Sequence, residues 1–390
     1  MKSMFAKPIY VNAAYRSPIG KFGGGLKHLK AGQLAGQILK KAIEKTSAHE
    51  VDFVFLGHAR QAGSGPNTAR QATIFSGLSE KIPAWTLNQA CASGLTAIMT
   101  GIDKIQLGQA NTVWAGGVES MSNTPYLLMG ARWGQRLGHG EVTDGMYQDG
   151  FLCPMAKVVM GETVEKFIVP EYKISREEQD AFALSSQIKT KKAYDQKLFN
   201  DEILATDASG KIPALSTDEH PRFDSTEADL KKLSPVFDSQ NGSITAGNSS
   251  GITDGASFLL LSSLKNSNTL VEILDYQVSA VDPKMMGIGP VPATETLLKR
   301  QNLSVNDLTA VEINEAFAAQ VIACQRHLKI PEDKLNIRGG SIALGHPIGA
   351  TGARISTTLI HQIKEKSGAL GLATLCVSGG MGVSILYRSL

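Results

Sequence analysis

The sequence predicts an α/β protein built on a mostly parallel, buried sheet, and three observations carry that reading. Apolar runs of strand length alternate with segments whose apolar residues recur at helical spacing, which is the grammar of βαβ units. Of the 390 residues, 42% are hydrophobic and only 19% charged, enough apolar surface for two or three packed layers and too few charges for a disordered or coiled-coil chain. The 39 glycines show no G-X-Y period, so they serve local backbone needs.

In chain order, Leu34, Ile38, Leu39, Ala42 and Ile43 share one helix face, and residues 51 to 56 read as a short buried strand. After the glycine-rich stretch from Gly63 to Pro66, residues 84 to 87 form a strand. Cys91 then opens a helix with Leu95, Ile98, Ile102 and Ile105 on its apolar face, closing near Gly108. A strand resumes at Thr112 and ends at Gly116-Gly117. From Met121 to about Ser250, charges, tyrosines and proline turns accumulate, and the one clear helix starts at the Ser175-x-x-Glu178 capping box. This stretch reads as an inserted, loop-rich subdomain. Beyond Val271 the βα pattern returns: a strand from Ala310, helices from Glu315 and Gly352, and strands from Leu370 and Val383. The expected organisation is a first half over residues 1–120 and 251–270, an insertion over 121–250, and a second half over 271–390. Each half runs from a strand through a reactive turn to a helix and a strand ending at Gly-Gly, which suggests an internal duplication.

A net charge of +3 cannot coat a nucleic-acid duplex, but single cations remain for a small anionic ligand. Cys91, Cys153, Cys324 and Cys376 are widely spaced, with no CxxC pair and no histidine cluster at ligand spacing. A disulfide framework and a metal site are therefore not expected, and a reducing cytoplasm is. No apolar signal region follows Lys2 and Lys7, and the Arg388-Ser389-Leu390 ending is not the peroxisomal tripeptide. The uncharged run from Gly368 to Tyr387 has the length of a membrane span, about 20 residues. Its glycines and the Ser378-Gly379-Gly380 break divide it into two strands instead.

Four segments carry chemistry. Cys91, in Asn88-Gln89-Ala90-Cys91-Ala92-Ser93-Gly94, stands between a strand and a helix start, where free N–H groups favour a thiolate nucleophile; a small buried apolar residue is the plain alternative. His346, in Gly345-His346-Pro347-Ile348-Gly349, either caps the following helix or serves as a base. The surrounding glycines resemble a phosphate loop but lack its Lys-Ser/Thr ending. Asn314 follows a strand at the sheet edge where α/β sites form, and it reads equally as a helix cap. Cys376 precedes Val377-Ser378-Gly379-Gly380, a backbone able to turn an N–H toward a ligand oxygen, and is otherwise a buried strand cysteine.

Together these segments resemble the signatures of the thiolase superfamily, along essentially the whole chain from Arg16-Ser17-Pro18-Ile19-Gly20 to the last strand. The resemblance implies a five-layered αβαβα core from two βαβαβαββα halves, with a loop domain inserted in the first, assembled as a homodimer or homotetramer. It implies reversible condensation of two acetyl-CoA to acetoacetyl-CoA and CoA, within fatty acid metabolism. The CoA thioesters are substrates, and no cofactor, nucleic acid or membrane takes part. It assigns Cys91 as the acylated nucleophile, His346 as its base, Cys376 as acid and base at the substrate α-carbon, and Asn314 as holder of an oxyanion-binding water. A second oxyanion hole would use the N–H groups of Cys91 and Ser378. Along the pantetheine arm it implies Ser250 and Ala246, at the nucleotide end Arg222, and around the acyl pocket Met160, Phe237, Met286 and Phe317. Ser378 stands where the family usually has glycine, and Val159-Met160-Gly161 where acetoacetyl-specific members have His-Met-Gly. A broader 3-ketoacyl-CoA thiolase is the alternative, and a non-catalytic acyl-CoA or lipid-binding protein the lesser one. A decarboxylating ketoacyl synthase would need a histidine in Asn314-Glu315-Ala316-Phe317.

Overall fold

The structure, a computed structural model, describes residues 3–210 and 212–390. The first half of the chain supplies β1 (Ile9–Arg16), β2 (Phe53–Gly57), β3 (Ala84–Leu87), β4 (Thr112–Ser120) and β5 (Thr253–Ser262). The second supplies β6 (Val271–Ala280), β7 (Ala310–Ile313), β8 (Leu370–Val377) and β9 (Met381–Ser389). First-half strands lie in the order β3-β2-β4-β5-β1, with β2 parallel to β3 and β4, and β5 antiparallel to β4 and β1. Second-half strands repeat it as β7-β8-β9-β6, with β7 parallel to β8, and β9 antiparallel to β8 and β6. Where the first half has β3, the second has only Leu335 bridged to Val311, and the Asn336 amide bonds both the N–H and the C=O of Ile313 at 2.9 Å. The expected duplication is thus written in strand order. The halves join edge to edge through the pairs Ile9–Ile273, Tyr10–Glu272 and Val11–Val271.

Helices α1 (Ala31–Thr46), α2 (Thr68–Phe75), α3 (Ser93–Gln106), α4 (Arg176–Asp195), α5 (Pro290–Arg300), α6 (Ala318–Leu328) and α7 (Ile348–Ile363) complete the layers. Between the sheets, α3 packs on β2 and β4, while α7 reaches β4 and β5 on one side and β7 and β8 on the other. Their shared core contains Leu95, Ile98, Ile102 and Ile105, the helix face read from the sequence, with Ile355, Leu359 and Leu375. Leu34, Ile38 and Leu39 cover the outer face of the first sheet, and Leu297, Val321 and Cys324 that of the second. The result is five layers, αβαβα. Where α3 and α7 meet, a Cβ on Gly94 would stand 2.7 Å from the Ala353 nitrogen, and one on Gly352 2.6 Å from the Leu95 nitrogen. Only glycine permits that approach.

Several boundaries differ from expectation. The strand from Thr112 runs through Gly116-Gly117 to Ser120, because these glycines serve close approach: added Cβ atoms would lie 2.1 Å from the carbonyl oxygens of Ser257 and Gly349 respectively. Gly379 and Gly380, by contrast, do turn the chain, at φ 88° and 82°. The helix expected from Glu315 starts at Ala318, since Phe317 is extended and bridged to Ser249. The helix expected at Gly352 begins earlier, at Ile348. The uncharged run from Gly368 forms the β8–β9 hairpin, and no helix among the described residues is long and apolar enough to cross a membrane. Between β4 and β5 lie short elements and α4, whose Ser175 Oγ accepts from the Glu178 N–H at 3.2 Å while Glu178 accepts from the Ser175 N–H at 2.9 Å.

Candidate active site

Cys91 sits in the turn from β3 to α3, ahead of the helix and not inside it. The turn is pinned by Asn88 Oδ1, which accepts from the Ala90 N–H at 2.9 Å, and by Ser93 Oγ, which accepts from the Gln89 N–H at 2.9 Å and donates to the Ala90 carbonyl at 2.7 Å. These bonds hold Ala90 at φ 47°, a conformation that costs a non-glycine residue about 1 kcal/mol or more. The Cys91 sulfur faces its own backbone N–H and that of Ser378, and the Arg60 cation acts on it. Burial outweighs all three and pushes the thiol up. This corrects the expectation of a standing thiolate: the helix start is close, but the site is enclosed.

His346 is buried, with its backbone N–H donating to the Gly251 carbonyl at 3.1 Å. Its Nδ1 lies 2.6 Å from Thr351 Oγ1, which itself donates to the Pro347 carbonyl at 2.9 Å. The hydroxyl proton is therefore engaged, so Nδ1 carries the imidazole proton and Nε2 is left as the acceptor. Burial, helped by the Arg354 and Arg60 cations, lowers the imidazole to about 3. At rest Cys91 is thus a thiol and His346 a neutral base, both within reach of the Arg60 cation. Asn314 Nδ2 stands 3.4 Å from Nε2, its Oδ1 accepts from Ser341 Oγ at 2.6 Å, and Ser341 Oγ accepts from the Arg354 guanidinium at 2.6 Å. Asn314 caps no helix; it continues β7 with its N–H on the Thr374 carbonyl at 3.1 Å.

Cys376, in β8, is raised well above an ordinary thiol by burial and then by the neighbouring Cys91 and Cys324. Ser378 opens the β8–β9 turn half-buried, and its side chain leaves its N–H free to face Cys91. Met160, Phe237, Met286 and Phe317 gather with Cys376 and Ala316 in one apolar cluster, the Phe237 and Phe317 rings edge to face with centroids 6.4 Å apart. Arg222, exposed, lines a cleft with Ala246, His220 and Leu233. From that cleft, residues 246–251 run to His346, and Ser250 donates to the Ala316 carbonyl at 3.0 Å on the way. The structure therefore brings Cys91, Cys376 and the Ser378 N–H near one another, sets Asn314 against His346 and places the four apolar residues beside Cys376, whereas Arg222 and Ala246 line a separate cleft. Among the described residues, no group of three or more His, Cys, Asp or Glu is placed to hold a metal ion.

Three residues escaped sequence reasoning. Buried Glu119 accepts from the backbone N–H of Arg60 at 3.1 Å and of Gly349 at 2.9 Å, and pairs with His58 Nε2 at 3.2 Å. These bonds tie the ends of β2 and β4 to the start of α7. The available signal was a His and an Arg in Gly57-His58-Ala59-Arg60, directly after a buried strand.

With this geometry in place, known proteins can be set beside the chain. It matches the thiolase N-terminal domain over residues 9–265 and the thiolase C-terminal domain over 267–389. An acetyl-CoA acetyltransferase of Escherichia coli K12 is 43% identical over 394 residues, covering 98% of this chain and 100% of its own. One of Pseudomonas aeruginosa is 42% identical over 387 residues, covering 97% and 98%. Among solved structures, an acetyl-CoA acetyltransferase of Bacillus anthracis superposes with a TM-score of 0.95 at 42% identity, covering 100% of both chains. A human mitochondrial 3-ketoacyl-CoA thiolase in complex with CoA gives 0.95 at 37%, again over 100% of both.

Proposed function

The chain belongs to the thiolase family, and from that premise we propose that it is an acyltransferase condensing two acetyl-CoA into acetoacetyl-CoA and CoA. The observation carrying the assignment of roles is the neutral His346 with an unprotonated Nε2 facing the Asn314 amide, together with an un-ionised Cys91 thiol whose sulfur faces two backbone N–H groups. In the first half-reaction His346 Nε2 takes the Cys91 proton as sulfur attacks the acetyl-CoA carbonyl. The N–H groups of Cys91 and Ser378 meet the tetrahedral oxyanion, each such donor worth about 3 kcal/mol. CoA leaves as a thiolate and takes its proton from Cys376, whose thiol burial keeps protonated until that moment. The Cys376 thiolate so formed then removes a methyl proton from the second acetyl-CoA. Protonated His346 and a water held by Asn314 receive the enolate oxygen, and the enolate carbon attacks acetyl-Cys91. Collapse returns the His346 proton to Cys91, so every group regains its resting state.

Arg222, Ala246 and Ser250 are read as contacts along the CoA arm, and Met160, Phe237, Met286 and Phe317 as the acyl walls. A homodimer or homotetramer in the cytoplasm, with a place in fatty acid metabolism and without nucleic-acid or membrane partners, completes the proposal. CoA thioesters enter as substrates, and the steps above call for no cofactor. The broader 3-ketoacyl-CoA reading is favoured by Val159, an apolar, half-buried neighbour of Met160. Each buried methylene gains about 0.8 kcal/mol, but overpacking against four bulky walls costs about 1 to 3 kcal/mol. The C4 substrate is therefore expected to be best and C6 tolerated; a kcat/KM rising through C8 would promote the degradative reading. The role of Cys91 is tested by mass spectrometry of protein quenched with acetyl-CoA, which should place an acetyl group on the Cys91 peptide. Acetylation only elsewhere, with full activity in Cys91→Ala, would remove it.

A further inference from the structure

Arg60 follows β2 at the edge of the site and is 5% exposed, with Nε sealed from solvent and without a hydrogen-bond partner. Among the described residues no carboxylate forms an ion pair with its guanidinium, and no oxygen accepts from it; its one hydrogen bond is the backbone N–H on Glu119. Glu119 acts on the cation only from a distance, because its oxygens are occupied by two backbone N–H groups and His58. A buried, unpaired guanidinium is costly to keep, and an arriving anion would offset that cost.

Its surroundings link it to the segment that packs beside the acyl thiol. The guanidinium lies flat on Gly150, where an added Cβ would come within 2.2 Å of Nη2, and its Cζ stands 5.7 Å from the Phe151 ring centroid. Phe151 packs on the core cluster that holds Cys91 and Met146. Further along the same segment, Met155 Cε would be 2.8 Å from a Cβ on Gly379, beside Ser378. Residues 150–155 thus span from Arg60 to the oxyanion turn. The cation's field reaches both reacting groups, easing Cys91 ionisation and opposing His346 protonation.

We propose that Arg60 receives the terminal carboxylate of the acyl group, so that the protein also cleaves and forms 3-oxoacyl-CoA thioesters ending in a carboxylate. This rests on the acyl-Cys91 reading above. With a six-carbon diacid thioester, Cys91 sulfur attacks C3 and the C2–C3 bond breaks. Its electron pair stays on C2, which takes a proton from Cys376 and leaves as acetyl-CoA. The succinyl group remains on Cys91 with its carboxylate on the planar, two-pronged guanidinium, until a CoA thiolate displaces Cys91 and departs as succinyl-CoA.

The test compares thiolysis of 3-oxoadipyl-CoA with that of 3-oxohexanoyl-CoA, equal in length but uncharged at the end. The wild type is expected to favour the charged substrate roughly 10- to 100-fold in kcat/KM, the worth of a charged hydrogen-bonded contact. Arg60→Leu should abolish the preference and Arg60→Lys keep part of it, while Gly150→Ala, which crowds the guanidinium from the loop side, should reduce it. Equal rates for the two substrates in the wild type, or a preference that survives in Arg60→Leu, overturn the proposal. Acetyl-CoA quenched in parallel separates the two readings: acetyl-Cys91 without a charged preference sinks only the role of Arg60, whereas no acyl group on Cys91 from any thioester sinks both.

Discussion

At Cys91 the enclosure of the thiol opposes the N–H groups and the Arg60 cation that favour its anion, and enclosure wins. The alkylation rate of Cys91 by iodoacetamide should therefore keep rising with pH through 9, the ordinary thiol value, without levelling near neutrality. A plateau at about pH 7 would restore the standing thiolate. Cys376→Ser should slow condensation far more than acetyl loading, since loading needs Cys376 only to protonate departing CoA; equal losses would make Cys376 structural. Ser341→Ala removes the donor holding Asn314 Oδ1, a net effect of about 1 kcal/mol, or roughly fivefold in condensation rate, with KM little changed. Cys91, His346 and Cys376 were legible because glycines within a few residues mark each of them, and Asn314 because it directly follows the apolar strand β7. Arg60 and Glu119 were not, for what distinguishes them is burial and missing or shared partners, which exist only once distant segments meet. The ionisation of Cys91 was misread for the same reason.

Secondary elements were legible where one apolar face runs long enough to show its period, as in α1 and α3. They were not where polar residues are buried: β1 carries Asn12 and Arg16 inside, the latter paired with Glu202 at 2.6 Å and Asp218 at 2.7 Å. The late start of α6 was hidden as well, since Glu315 is held by Ser186 at 2.7 Å and Asn336 at 2.8 Å instead of entering the helix. Strand β3 ends the first sheet with Trp85 41% exposed, an unprotected edge of the kind that pairs with another copy. Trp85→Glu should shift the sedimenting species toward monomer; an unchanged mass would exclude this edge as the contact. Gly94→Ala should destabilise the fold by about 1 to 3 kcal/mol in urea unfolding, because its methyl would meet the backbone of α7.

The whole molecule holds titratable groups that pull its acid stability in opposite directions. The folded value of His346, about 3 against an ordinary 6.5, gives stability that is full above about 6.5, drains as pH falls, and is gone by about 3. Glu312, raised by burial to about 7 from 4.5, does the reverse: its contribution is present below 4.5 and lost as pH rises through 7. The Tm difference between wild type and His346→Asn should therefore shrink from about pH 7.5 to 5, whereas a constant difference would show that His346 titrates in the fold as it does in the unfolded chain. At this scale, a sheet with helices on its faces and a duplication were foreseeable from the βα pattern and the five layers from the family resemblance, but the edge-to-edge joint was not, because three strand pairs leave no mark in composition. The contact of Gly94 with Ala353 and of Gly352 with Leu95 brings the helix after the nucleophile and the helix after the base within close backbone approach of each other. The nearest atom on each side is a backbone nitrogen, so the spacing of the two helices behaves like a fixed gauge. Its tolerance is set by covalent geometry, and substitution elsewhere in the core can soften the protein without first losing this alignment.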